Sequence, residues 1–178
     1  MTHTLIYGFD KELAGWAQQR IPWMQGTDGI RAVGVAEGPT PGDKLLAVVF
    51  YSNYRAPFQL NGKTWGGICE MGIAAASPRW ATRGTIASLL GIPFEQYNCR
   101  KVVAVVPSTN RRSVRLAEGL GFKQEGTLRH HFAKDVHACV LGMMRGESEK
   151  RWLHPRQPKA QANHGQHTRR WRVTPALH

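Results

Sequence analysis

The chain has 178 residues and carries 24 Lys and Arg against 12 Asp and Glu, a net charge of +12, with 42% hydrophobic and 20% charged residues. This is the composition of a globular domain large enough to bury a core without disulfide or metal staples, and no apolar run approaches the ~20 residues of a membrane-spanning helix. The N-terminus shows no basic start or long apolar stretch of a secretion signal, and Cys69, Cys99 and Cys139 lie far apart in apolar runs, so a reduced, cytoplasmic protein without a metal centre is expected.

In chain order, Asp10 is placed to cap a helix over residues 11–20, with Leu13, Trp16, Ala17 and Ile21 facing inward and Pro22 stopping it. Residues 30–36 predict a short strand and residues 44–54 a stronger one, whose unbroken apolar run from Leu45 to Tyr51 marks it as central. Asn61-Gly62 predicts a hairpin turn, and residues 67–77 a strand halted by Pro78. The period then changes: Ile86, Leu89, Leu90, Phe94 and Tyr97 share one face of a helix over residues 84–97, kinked at Pro93. Residues 101–106 are a β-branched run, again a central strand. A helix over residues 109–120 ends at Gly121, and residues 122–132 and 137–145 close the body as a pair of strands. The pattern is that of an α/β (α+β) domain over residues 1–146.

Residues 147–178 are polar, basic and short of aliphatics, so a mobile tail is expected, with Trp152 and Leu153 the residues able to pack back on the body. The body carries 17 basic and 10 acidic residues and the tail 7 and 2. Such an excess points to an anionic partner.

The segment from Ser77 to Thr85 joins a strand to a helix and combines Arg79 and Arg83 with the free amides of a helix N-terminus, a pattern that attracts phosphate. Asn110, Arg111, Arg112 and Arg115 start the next helix after the next strand, and both helix starts are predicted at one edge of the sheet. A long ligand with several phosphates suits that separation. The same arginines also read as a solvated helix face.

From Gly67 to Arg145 the chain resembles the GNAT superfamily of acyl-CoA N-acyltransferases, nearest the branch of ribosomal-protein N-terminal acetyltransferases. The run Arg79-Trp80-Ala81-Thr82-Arg83-Gly84 is similar to the pyrophosphate motif Q/R-x-x-G-x-G/A, with Thr82 where the first glycine is usual. Asn110-Arg-Arg-Ser113, followed by Gly121-Phe122 and Glu125-Gly126, is similar to that branch's N-x-x-S…GF-x-x-EG stretch. The resemblance implies a mixed, mostly antiparallel sheet with helices on both faces and with splayed fourth and fifth strands. It implies acetyl-CoA as cosubstrate, held by the backbone of Ile73, Ala74 and Ala75, by Thr82, Gly84 and Thr85 with Arg79 and Arg83, and by Asn110 and Arg115. No metal is implied.

The reaction that the resemblance implies moves an acetyl group to a primary amine: a protein N-terminus, a lysine or a small amine. Glu70 is the expected base, or alternatively the partner of an edge salt bridge. Asn110 is expected to position the cofactor or help an ordered water, or alternatively to cap its helix, and Ser113 is expected to hydrogen-bond the CoA sulfur. Many members place an acidic tyrosine four residues before the Gly-Phe pair, where this chain has Ala117. His130, His131 and His137 fall near the expected substrate mouth. The basic, aromatic-containing tail leaves open a nucleic-acid-directed acyltransferase, a binding module that only keeps the fold, or a plain solubilising extension. A homodimer is equally open.

Overall fold

The computed structural model describes residues 3–24, 26–38 and 44–154. Nine strands are described: β1 (His3–Ile6), β2 (Arg31–Glu37), β3 (Leu45–Arg55), β4 (Phe58–Leu60), β5 (Lys63–Trp65), β6 (Ile68–Ala75), β7 (Lys101–Pro107), β8 (Lys123–Ala133) and β9 (Val136–Met144). The helices are α1 (Asp10–Gln18), α2 (Arg83–Gly91), α3 (Arg111–Leu120) and the short α4 (Arg145–Ser148). Seven strands form one sheet in the order β1-β2-β3-β6-β7-β9-β8, and β4 and β5 form a separate ribbon. Every pairing in the large sheet is antiparallel except β6 with β7.

Side-chain alternation along the central strands covers both faces of this sheet. Leu13 and Ala17 of α1 pack with Ala32, Val48 and Ala74, whereas Ile86, Leu89 and Leu90 of α2 share the main core with Val33, Val35, Val49, Tyr51 and Met71. The buried Tyr51 hydroxyl donates to the Leu89 carbonyl at 2.8 Å, tying α2 to β3. Burial holds that phenol well above its ordinary pKa. Cys69 and Cys99 are buried and unbridged. The hydrogen bond between them raises the Cys69 pKa and draws Cys99 down, with burial adding to the first effect and opposing the second.

Local signals account for most boundaries. Asn61 and Gly62 both have positive φ, as the two-residue turn between β4 and β5 requires. Gly121 stops α3 in the left-handed conformation, its amide bonding the Ala117 and Glu118 carbonyls. Around Pro93, which has no amide to offer, α2 gives way to a wide turn over Ile92–Gln96. The outer strand β8 is exposed along almost its whole length, and its charged residues and register shifts guard that edge.

One expectation needs correction and two features go beyond what was expected. Asp10 does not cap α1: the helix begins at Asp10 itself after Phe9, and its carboxylate bonds the Ala32 amide and the Arg31 guanidinium, both at 2.8 Å. The strand β1 was not anticipated. The chain after Gly146 is not all tail, since α4 and a wide turn over Glu149–Leu153 pack Trp152 and Leu153 against the main core. Trp152 donates its indole N–H to the Leu120 carbonyl at 2.7 Å. Glu147 accepts from the Met144 amide at 2.9 Å and pairs with Lys123 at 2.5 Å. Those two bonds, Lys123 first, hold its carboxyl below the usual range. The expected tail otherwise lies at 155–178, outside the described residues.

Candidate active site

Strands β6 and β7 stay paired only at Ile68–Lys101, Cys69–Val102 and Glu70–Val103. Past Glu70 they separate: β6 continues along β3 as far as Ala75, opposite Ala47, and β7 continues along β9 as far as Pro107, opposite Ala138. The wedge between them opens into a cavity of about 390 Å³, lined by Glu70–Ile73 of β6, Ala104–Pro107 of β7 and Ser113 and Ala117 of α3. The Ala76 amide bonds the Leu46 carbonyl across to β3 at 2.8 Å. By the two-residue alternation of an antiparallel ladder, the amides and carbonyls of Ile73 and Ala75 therefore face the open seam.

Because β6 and β7 are parallel, the helices that follow them, α2 and α3, both begin at the carboxyl-end edge of the wedge. Two positive helix ends thus flank one opening. At α2 the Thr82 hydroxyl accepts from the Thr85 amide at 3.3 Å, while the Arg83 and Gly84 amides precede the first intrahelical bond and point out of the helix end. A Cβ on Gly84 would meet nothing within 4 Å, so that end is open. The Thr85 hydroxyl is instead held inside, 2.9 Å from His3 Nδ1 and 2.8 Å from the Thr82 hydroxyl.

The sequence-predicted residues divide into two groups. Glu70, Ile73 and Ser113 line the cavity, and so do Ala117 and His131. Glu70 sits at the apex, the last β6 residue paired on both sides, facing Ser52 of β3 and Val103 of β7. Ala74 is buried beneath α1 and Ala75 is exposed.

The remaining candidates stand apart from the cavity. Arg79 forks onto Glu37 of β2 at 2.8 and 2.9 Å. Arg83 donates to the Arg151 carbonyl at 2.6 Å and lies 5.3 Å from the Trp152 ring centroid. Neither guanidinium is therefore aimed at the α2 amides, because a carboxylate and a carbonyl from distant segments take them first. Asn110 Oδ1 accepts from the Ser113 amide at 3.1 Å and caps α3, the structural alternative that the sequence left open. Arg115 is exposed. His130 and His137 hold the β8–β9 turn together: His137 Nδ1 accepts from the His130 amide at 3.0 Å, and His130 Nδ1 accepts from the Asp135 amide at 2.9 Å.

Sequence reasoning missed one wall of the cavity, formed by Trp23 and Met24 after α1, Phe50 and Ser52 of β3, and Leu128 and Phe132 of β8. Gly72 belongs to the same wall, since a Cβ there would collide with the Phe50 ring. The available signal for Trp23 was a large aromatic set directly after the helix stop at Pro22.

The sequence matches no protein-family model and no curated protein. Solved structures do match its backbone. A chimera of the Vibrio cholerae spermidine N-acetyltransferase SpeG with hSSAT superposes with a TM-score of 0.61 at 16% identity, covering 83% of this chain and 98% of that one. This chain has the GNAT fold. The dodecameric spermidine N-acetyltransferase from Vibrio cholerae gives a TM-score of 0.59 at 17% identity, over 83% of this chain and 95% of that one. The Vibrio cholerae enzyme in complex with CoA and spermine gives 0.58 at 15% identity, over 82% and 96%. The splayed pair expected of a GNAT sheet is β6 and β7, and the β4–β5 ribbon is an excursion between β3 and β6.

Proposed function

We propose that this GNAT-fold protein is an N-acetyltransferase that moves an acetyl group from acetyl-CoA to a primary amine in the cytoplasm. One observation carries the reading: the β6–β7 seam is open past Glu70, with unpaired β6 backbone on one side and two helix N-termini at its mouth. An extended amide-bearing arm pairs with a free strand edge as another strand does, and a diphosphate suits the amides of Arg83 and Gly84. Arg79 and Arg83 reach that diphosphate only by leaving Glu37 and the Arg151 carbonyl.

In the reaction the amine nitrogen bonds the acyl carbon and the C–S bond breaks, so the amine loses one proton and the departing thiolate gains one. Glu70 is the carboxylate that lines the cavity and acts as the base, directly or through a water. Ser113, on α3 across the wedge, donates to the sulfur, a role supported by its place in the cavity lining and by the absence of a hydroxyl at Ala117. The resemblance to the ribosomal-protein branch rests on residues 110–126, whereas the matched solved structures are named for spermidine.

Acetyl-CoA at ~100 times its Kd stabilises a competent fold by about 2.7 kcal/mol, a rise of roughly 5–11 °C in Tm for a domain of this size. Ala104→Phe fills the seam and abolishes that rise while the variant still melts cooperatively. A wild-type Tm indifferent to acetyl-CoA refutes the proposal.

A further inference from the structure

We infer that the acceptor taken by this cleft is a monoamine with an apolar, aromatic-sized body rather than a polyamine. The inference rests on reading the cleft as an acetyltransferase site. Its first support is charge. Among the described residues, Glu70 is the one carboxylate that lines the cavity, and no lysine or arginine lines it. Glu37, Glu125 and Asp10, which do not line the cavity, are paired with Arg79, Lys101 and Arg31. A polyamine would bring two or three ammonium groups into this space with one counter-charge to meet them, and each unpaired ammonium carries a heavy desolvation cost. The net charge of +12 also repels a polycation during approach.

The second support is the wall itself. Beyond Glu70 the cavity is bounded by Trp23, Met24, Phe50, Leu128, His131 and Phe132, drawn from the loop after α1, from β3 and from the outer strand β8. Trp23 and Phe132 meet edge to face at 5.7 Å, bridging the α1 loop to β8. His131 stacks edge-on against Phe132 at 4.9 Å. Trp23 and Leu128 remain 38% and 45% exposed. Apolar side chains left in contact with water around a concave opening mark a site for an apolar ligand. The ammonium of such a ligand meets Glu70 at the apex while its body lies on this wall. A small aralkylamine and a peptide whose first residue is large and apolar present the same chemistry.

The test uses the full chain with saturating acetyl-CoA and follows thiol release with 2-phenylethylamine, a tetrapeptide beginning with Phe, and spermidine. The expected result is a kcat/KM about tenfold or more higher for 2-phenylethylamine or the peptide than for spermidine, and the better of the two names the source. Trp23→Leu and Phe132→Leu are each expected to raise the KM of the preferred amine by about fivefold with acetyl-CoA KM changed less than about twofold. Spermidine turned over as well as, or better than, both apolar amines overturns the inference and leaves the acetyltransferase reading intact. So does stabilisation by acetyl-CoA with none of the three amines acetylated. Amine KM unchanged in both variants also overturns it. If acetyl-CoA neither raises the Tm nor is cleaved, the acetyltransferase reading fails and the inference fails with it.

Discussion

Replacing Trp152 by alanine tests the C-terminal turn as part of the folded domain. Its indole packs against the main core, donates to the Leu120 carbonyl at the end of α3, and lies beside Arg83 at the start of α2. Arg151 reinforces the junction by donating to the Gly119 carbonyl at 2.6 Å, and its own carbonyl accepts from Arg83. Losing ~100 Å² of buried apolar surface costs about 2.5 kcal/mol at ~25 cal/mol per Å². The lost hydrogen bond adds about 1 kcal/mol. For a domain of this size the sum lowers Tm by roughly 7–14 °C. Thermal unfolding followed by circular dichroism measures it, with a chain truncated after His154 as the comparison. That truncation is expected to keep the wild-type Tm within about 2 °C, because it spares every contact just named. A Trp152→Ala loss under 2 °C, or a truncation as costly as the substitution, refutes the packing account.

Other consequences follow from the site and its supports. Glu70→Gln is expected to lower kcat by ~10²–10⁴ while the Tm rise with acetyl-CoA persists, as loss of a base but not of a binding group requires; thiol-release kinetics beside thermal shift decide it. Asn110→Ala is expected to cost about 1 kcal/mol, or roughly 2–4 °C, from the lost cap on the Ser113 amide, and to leave kcat within about twofold. Tyr51→Phe removes the bond to Leu89 and costs about 1 kcal/mol at neutral pH. Its effect also depends on pH. Burial raises the folded-state pKa of Tyr51, so its phenol holds its proton longer in the folded chain, and wild-type stability falls as pH climbs through the unfolded tyrosine value of about 10. The variant shows a shallower loss there in urea titrations at pH 7 and 10.5.

Where a signal is local, the sequence was legible. Gly121 ends α3 and Asn61-Gly62 turns the small ribbon, each through its own backbone, and Asn110 takes the capping role that stood as the alternative to a cofactor contact, whereas the cap that Thr82 gives α2 was not anticipated. The continuous apolar runs of β3 and β7 correctly placed both strands inside the sheet. What was not legible depends on distant partners. Asp10 has a capping residue's chemistry, yet the Ala32 amide and Arg31 draw its carboxylate away. Arg79 and Arg83 occupy motif positions, but contacts 42 and 68 residues away set their directions. The four residues of β1 are too few to show a period, and its pairing partner is β2, some thirty residues on. Glu147–Arg151 reads as solvated chain, and only Trp152 and Leu153 hint at the packing that carries this segment to the end of α3. The apolar wall of the cavity escaped notice because Phe50 looks like core in a continuous apolar run, and Trp23 and Phe132 meet only once the sheet has closed.

Amide hydrogen exchange along β6, measured by NMR with and without saturating acetyl-CoA, bears most directly on the seam as the cofactor's seat. The Ile73 and Ala75 amides face the opening and are expected to slow by about tenfold or more when acetyl-CoA binds, while the Ala74 amide, turned toward β3, changes little. Acetyl-CoA that binds and raises the Tm yet leaves Ile73 and Ala75 exchanging at their free rates contradicts the account.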